Sequence, residues 1–228
     1  MEMFAYTLLF VACSLGVVAQ VNSQECLTAT QDSCRPNINK QSKINQESAC
    51  NSRYGAISNL EEDLNKFALT HIIKSFEYLL MSTHFGNYDM NREGFHKLFR
   101  AYSDSKWENS IELIKHITKR GGKVNMKAPI ASPSSNYELY EIESLAKALD
   151  MEKSLMAEAY NIHERSIRKL EHSHDPEISH YIEEEFVEKS ADKIRELSGH
   201  IADLSKMLGE SQDNALSLYL FDDYLKNL

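Results

Sequence analysis

The sequence predicts an all-α protein: a bundle of four long helices with one long crossover connection and a short fifth helix at the C-terminus. Three observations carry this. Gly (8) and Pro (4) are scarce in 228 residues, and both are the usual punctuation of strand- and loop-rich folds. Apolar residues recur at steps of three and four through four long segments. The first connection is only a few residues, whereas the second runs to about 15, long enough to cross a bundle.

The N-terminus stands apart from this pattern. Tyr6 to Val18 is almost wholly apolar or small, too short to span a bilayer but suited to the h-region of a signal peptide. The n-region lacks Lys and Arg, and small residues near Val18, Ala19 and Ser23 allow cleavage around residues 19–24. A buried N-terminal strand or helix is the competing reading; the polar stretch that follows favours the signal. The expected organisation is a signal peptide over 1–20, a Cys-bearing extension over 21–55 and a helical bundle over 56–228. Localisation is then secreted or within the secretory pathway. Nothing else in the chain is apolar enough to cross a membrane.

Residues 24–55 are rich in Gln, Asn, Ser and Lys, as in an irregular extension. They hold Cys26, Cys34 and Cys50, and no Cys follows. Clustered cysteines after a signal read as disulfide chemistry in an oxidising compartment. Three is odd, so one internal bridge leaves a thiol that either ties the chain to another subunit or stays free. No Cys/His zinc pattern and no N-x-S/T sequon is present.

The first helix is expected over 57–85, with Leu60, Leu64, Phe67, His71, Tyr78, Met81 and Phe85 on one side. The second, over 91–119, carries Phe95, Phe99, Tyr102, Lys106, Asn109, Leu113 and His116, a coiled-coil-like seam. Arg120-Gly121-Gly122 ends it, with Gly suited to the left-handed C-cap. The crossover holds Pro129 and Pro133, and Asn136 is placed to cap the next helix. The third helix, over 137–170, lines up Leu145, Leu149, Glu152, Met156, Ala159 and His163. Asp175-Pro176 starts the fourth as cap and first helical residue, followed by Ile182, Phe186, Ser190, Ile194, Leu197, Ile201 and Leu204. Gly209 and Ser211 mark a break. The last helix, over 212–226, carries Leu216, Leu218, Tyr219, Leu220 and Leu225, too apolar for a lone tail and suited to packing on a neighbour or symmetry mate.

A formal charge of −9, or −8 without the first 20 residues, argues against nucleic acid and anionic membranes as partners. Walker loop, dinucleotide fingerprint and nucleophile elbow are all missing. The informative residues are the polar ones inside the apolar stripes: His71, Tyr78, Lys106, Asn109, Glu152 and Ser190. A buried Lys needs a buried anion, and Glu152 is the candidate partner of Lys106, with Tyr78 in hydrogen-bonding reach. The alternative is that the helix phases drift and these side chains snorkel to solvent. His116 reads as a surface or cap residue, and His172, His174 and His180 as solvated histidines.

Several segments resemble the ferritin family. Phe76-Glu77-Tyr78-Leu79-Leu80-Met81-Ser82 with Phe85 is similar to its first helix, and Lys119-Arg120-Gly121-Gly122-Lys123 to the end of its second. Ala148-Leu149-Asp150-Met151-Glu152-Lys153 resembles its third helix, Asp175-Pro176 the turn into its fourth, and Leu216 to Asp222 its short fifth. The resemblance spans about 57–226 and is gap-free from Tyr78 to Gly122. It implies a ferritin-like bundle and iron as cargo. The leader and extension are similar to those of secreted insect-type ferritins.

The resemblance also implies residue roles. Heavy chains of the family hold two irons in a ferroxidase centre. Their first-helix glutamate falls on His71, their tyrosine on Tyr78 and their adjacent second-helix glutamates on Ser105 and Lys106. Their second-helix histidine falls on Asn109, their third-helix glutamate on Glu152 and their fourth-helix glutamine on Ser190. One carboxylate and one imidazole do not balance two irons, and Lys106 puts a positive charge where iron would sit. Vertebrate light chains likewise pair a Lys with the kept glutamate. The three-fold channel positions fall on His180 and Glu183, with His163 near the mouth, so a ring of Glu183 would guide cations. Light-chain nucleation positions read mostly Lys97, Arg100, Ala101 and Asp104, a departure from the vertebrate pattern that leaves Asp104 and Glu108 as the contributing acids.

The expected function is that of a non-catalytic light-type subunit in a secreted 24-subunit shell, storing or carrying Fe(III) mineral beside heavy-type subunits that oxidise Fe(II). The rivals are a residual ferroxidase using His71, Tyr78 and Glu152, and a secreted helical signalling bundle.

Overall fold

The computed structural model describes residues 51–125, 139–168, 174–210 and 213–228. The expected leader, Cys26, Cys34, Cys50, Pro129, Pro133, Asn136 and His172 lie outside the described residues. Helix α1 spans Ile57–Phe85, α2 Glu93–Lys119 and α3 Glu141–Ile167. The fourth rod is composite: α4 covers Pro176–Ile182, a π-helical segment Glu183–Glu188, and α5 Lys189–Glu210. Helix α6 spans Asn214–Lys226. Among the described residues there is no strand, and no helix is long and apolar enough to cross a membrane.

Ion pairs at the helix ends fix the topology. Arg165 of α3 pairs with Asp63 at the start of α1, so those helices run antiparallel. Arg53, just before α1, donates to Gly121 O just after α2, so α1 and α2 are antiparallel too. Arg92 and Glu141, at the starts of α2 and α3, pair at 2.8 Å. Helices α2 and α3 are therefore parallel, and the chain between them must return the length of the bundle. At 1.5 Å per residue the 27 residues of α2 make that about 40 Å. The long second connection serves this need. The start of α4 returns to the end of α2 through Asp175 and Arg120.

Local chemistry sets the boundaries. Gly121 takes φ +74°, the left-handed turn expected after Arg120. The Asp175 side chain accepts from the Ile178 amide, with Pro176 at the first helical position, as the sequence predicts. Two boundaries and one internal segment differ from expectation. Helix α3 begins at Glu141 rather than 137, because Tyr140 is extended and Glu141 and Glu143 supply first-turn acids to the helix dipole. The fourth helix runs through Gly209 to Glu210 instead of breaking there. The π segment inside that rod has no sequence forecast.

The core falls into two apolar clusters. One gathers Leu60, Leu64, Phe67, Leu113, Ile117, Leu155, Ile162, Ile178, Ile182 and Phe186. The other gathers Tyr78, Met81, Phe85, Phe95, Phe99, Leu145, Leu197, Leu204, Phe221 and Leu225. The second includes α6, which docks through Phe221 and Leu225 while the Asp222 carboxylate accepts from the Phe95 amide at 3.0 Å. Gly94 permits that approach; any side chain there would collide with the Asp222 carbonyl. The other side of α6 leaves Leu216, Tyr219, Leu220 and Tyr224 half exposed. A belt of buried polar residues separates the two clusters, and it holds the site.

Candidate functional site

Each long helix contributes to the polar belt. Helix α1 brings His71, Ser75 and Tyr78, α2 brings Ser103, Lys106 and Ser110, α3 brings Glu152, and the fourth rod brings Ser190. Lys106 and Glu152 are 1% and 0% exposed, so neither snorkels. Lys106 Nζ lies 2.6 Å from Glu152 Oε2. The other carboxylate oxygen accepts from Tyr78 OH at 2.8 Å, and that hydroxyl also reaches Ala148 O at 3.2 Å. Burial and the adjacent Glu152 carboxylate push the Tyr78 phenol well above its ordinary value, so it stays a donor. A lone charge here would cost several kcal/mol; paired and hydrogen-bonded, the two hold each other in place. The drift-and-snorkel alternative is thereby excluded.

His71 sits beside this pair, packed edge-on against Phe67 and Phe186 at 4.6 and 5.4 Å between ring centroids. Neither ring nitrogen has a hydrogen-bond partner. Burial first, then Lys106 and Lys193, hold its pKa well below the ordinary value. The ring is therefore neutral at physiological pH.

Lys193 escaped the sequence reading. Its ammonium donates to Ser105 Oγ at 2.6 Å and lies 5.9 Å from the centre of the Tyr102 ring. Burial and Lys106 draw its pKa down to about 8, against the pull of Glu152 and Glu196. The signal was faint: Lys193 is one residue off the apolar stripe and three after Ser190. The π segment directly ahead of it brings Phe186 against His71. Such segments are frequent at functional sites. Asn109 is half buried, facing outward more than the seam predicts.

A second buried cation closes the end of the bundle. Arg120, 1% exposed, pairs with Asp175 at 2.7 Å, bonds Glu177 and donates to Tyr54 O at 2.8 Å. Its guanidinium also covers the Tyr54 ring at 3.9 Å. His116 is 7% exposed, stacks on Tyr181 at 3.8 Å and bonds Glu177 at 2.9 Å. That corrects its reading as a surface or cap residue: the apolar seam carries it inside, where Glu177 satisfies one ring nitrogen.

The comparisons with known proteins fit this architecture. The family model described as Ferritin-like domain matches residues 59–207. The chain belongs to the ferritin family. It is 39% identical over 225 residues to the ferritin light chain of Trichoplusia ni, covering 96% of this chain and 97% of that one. Identity to the ferritin light chain of Drosophila melanogaster is 37% over 233 residues, covering 99% of each. The crystal structure of Trichoplusia ni secreted ferritin matches with a TM-score of 0.75 at 39% identity, over 89% of this chain and 98% of that one.

The remaining sequence-predicted positions of this ferritin chain lie on its surface. His163 Nε2 stands 3.9 Å from Glu183, joining α3 to the π segment. His180 pairs instead with Glu184, at 3.3 Å. Asp104 is tied to Arg100 one turn earlier at 3.0 Å, and Glu108 is exposed. Among the described residues, no group of three or more His, Cys, Asp or Glu is arranged to hold a metal ion.

Proposed function

We propose that this chain is a non-catalytic, light-type subunit of a secreted ferritin shell of 24 subunits, storing or carrying iron as Fe(III) mineral beside heavy-type subunits that oxidise Fe(II). The Lys106–Glu152 pair carries the reading. Two irons bridged inside a bundle need several carboxylates and an imidazole. Here the one carboxylate at the centre of the belt is taken by an ammonium at 2.6 Å and a phenol at 2.8 Å. The imidazole is neutral but faces two ammoniums, and Ser105, Asn109 and Ser190 offer no charge to offset iron. The donor set does not fit a di-iron group, so no oxidation step runs through it.

Iron is then cargo. A ring of Glu183, with His163 and His180 beside it, is suited to guide cations through a three-fold channel. Asp104 and Glu108 are the acids available for mineral nucleation, and the Arg100 partner of Asp104 makes nucleation by this chain weak. The unpartnered side of α6 supports assembly, since Leu216, Tyr219, Leu220 and Tyr224 gather apolar surface on one short helix. A leader over 1–20 supports secretion, as does the likeness to a secreted ferritin. Cys26, Cys34 and Cys50 are suited to disulfides, including one to a heavy-type subunit.

Oxygen uptake by the purified chain given Fe(II) tests the catalytic half of this proposal. The expected rate is that of the no-protein control; turnover well above it would make the chain a ferroxidase. Native mass analysis, non-reducing and then reducing, tests the assembly. A particle of 24 chains with a second subunit kind is expected, and a species near 26.1 kDa would refute the shell.

A further inference from the structure

The polar belt carries more positive charge than negative. Each oxygen of Glu152 is already engaged, one by Lys106 and the other by Tyr78. Lys193 brings a second ammonium from the fourth rod, and its hydrogen-bond acceptor is the neutral Ser105 hydroxyl. One nitrogen of neutral His71 must carry a proton, and neither nitrogen has a partner although the residue is 2% exposed. Ser190, between Phe186 and Lys193 on the same helical face, adds a short hydroxyl. A further carboxylate, Glu196, is about half exposed and engaged with Tyr102 and His200. Two ammoniums thus face one carboxylate in a low-dielectric interior, together with an unsatisfied ring N–H.

We propose that the belt binds a small monovalent anion of halide size, held between Lys193, Lys106 and the N–H of His71. The inference rests on the reading that iron does not occupy this centre. An anion there balances the second ammonium, accepts the His71 proton and gives Lys193 a charged partner. His71 packs on Phe67 and Phe186 and Lys193 lies beside the Tyr102 ring, surroundings that suit a small ion better than a carboxylate or phosphate. Lys193 is half buried, so its ammonium gives the ion a path from solvent into the belt. A buried anion is favourable when charge-assisted donors replace its hydration.

The probe is bromide, soaked into crystals of the assembled protein and located by anomalous scattering at the bromine edge. The expected result is one peak per subunit within about 3.5 Å of Lys193 Nζ. Lys193→Gln is expected to abolish the peak, and Ser105→Ala, which keeps both ammoniums, to retain it. Wild-type crystals with no bromide peak, or with a water in its place, overturn the proposal, as does a peak that survives Lys193→Gln. Fe(II)-dependent oxygen uptake separates the two failures. A missing bromide peak with uptake at the no-protein rate removes the anion site alone. Uptake well above that rate removes the reading beneath it.

Discussion

Two buried cations, one at the end of helix α2 and one at its middle, differ in what surrounds them. At the helix C-terminus Arg120 is a buried cation held by two carboxylates, a backbone carbonyl and an aromatic face, with its Nε left unpartnered. Halfway along, Lys106 is equally buried but has a single carboxylate, shared with a phenol, and a second ammonium nearby. The first arrangement is a clasp. It ties the residues before α1, the end of α2 and the start of α4 into one knot, and its surplus of acid suits a fixed structural role. The second has more cations than carboxylates. A buried ion pair is weak evidence for stability in itself; what sets the second apart is that imbalance of charge.

Breaking each pair tests the contrast. Glu152→Gln keeps the shape but strands Lys106, so it should cost about 3–5 kcal/mol, read as a fall in the denaturant midpoint. Asp175→Ala removes the cap of α4, the Ala56 amide bond and half of the Arg120 clasp. Its expected cost is about 2–4 kcal/mol by the same assay.

Acid should attack the clasp selectively. Against the opposing effect of burial, hydrogen bonds to Arg120 and the Ala56 and Ile178 amides hold Asp175 below its ordinary value. Glu177 is likewise held down, by His116 and Arg120. Folded pKa values below the unfolded ones mean that this stability is whole above the ordinary carboxylate range. It is lost as pH falls through the folded values. Thermal unfolding against pH should show the loss beginning below about pH 4.5 in wild type, and it should be shallower in Asp175→Ala.

Replacing the whole central pair, as Lys106→Met with Glu152→Leu, should cost less than Glu152→Gln alone, within about 2 kcal/mol of wild type. A double variant as damaged as the single would mean that the pair stabilises the fold outright. The smallest effect belongs to the surface: Asp104→Asn, breaking an exposed pair one turn apart on α2, should change stability by about 0.5 kcal/mol or less.

Much of this contrast was legible in the sequence. The polar exceptions in the seams named Lys106, Glu152, Tyr78 and His71, because burial makes an isolated Lys require an anion. The turn residues Gly121 and Asp175-Pro176 named their own boundaries. Lys193 was not legible, since one residue off the stripe normally means a snorkelling side chain, and only the three-dimensional packing shows it turned toward Ser105. Arg120 was hidden for the opposite reason. It lies at a helix end, where solvation is the rule, and the chain before α1 and the start of α4 bury it from elsewhere in the sequence. The π segment had no local signature, as its residues Glu183–Glu188 also suit an α-helix.

The central claim is that a cation, not a metal, occupies the middle of the bundle. Crystals exposed aerobically to Fe(II) and measured at the iron absorption edge test it most directly. The account predicts no anomalous density between Lys106, Glu152 and His71, with the 2.6 Å pair intact. A pair of iron peaks at that position, with Lys106 displaced from Glu152, would contradict it.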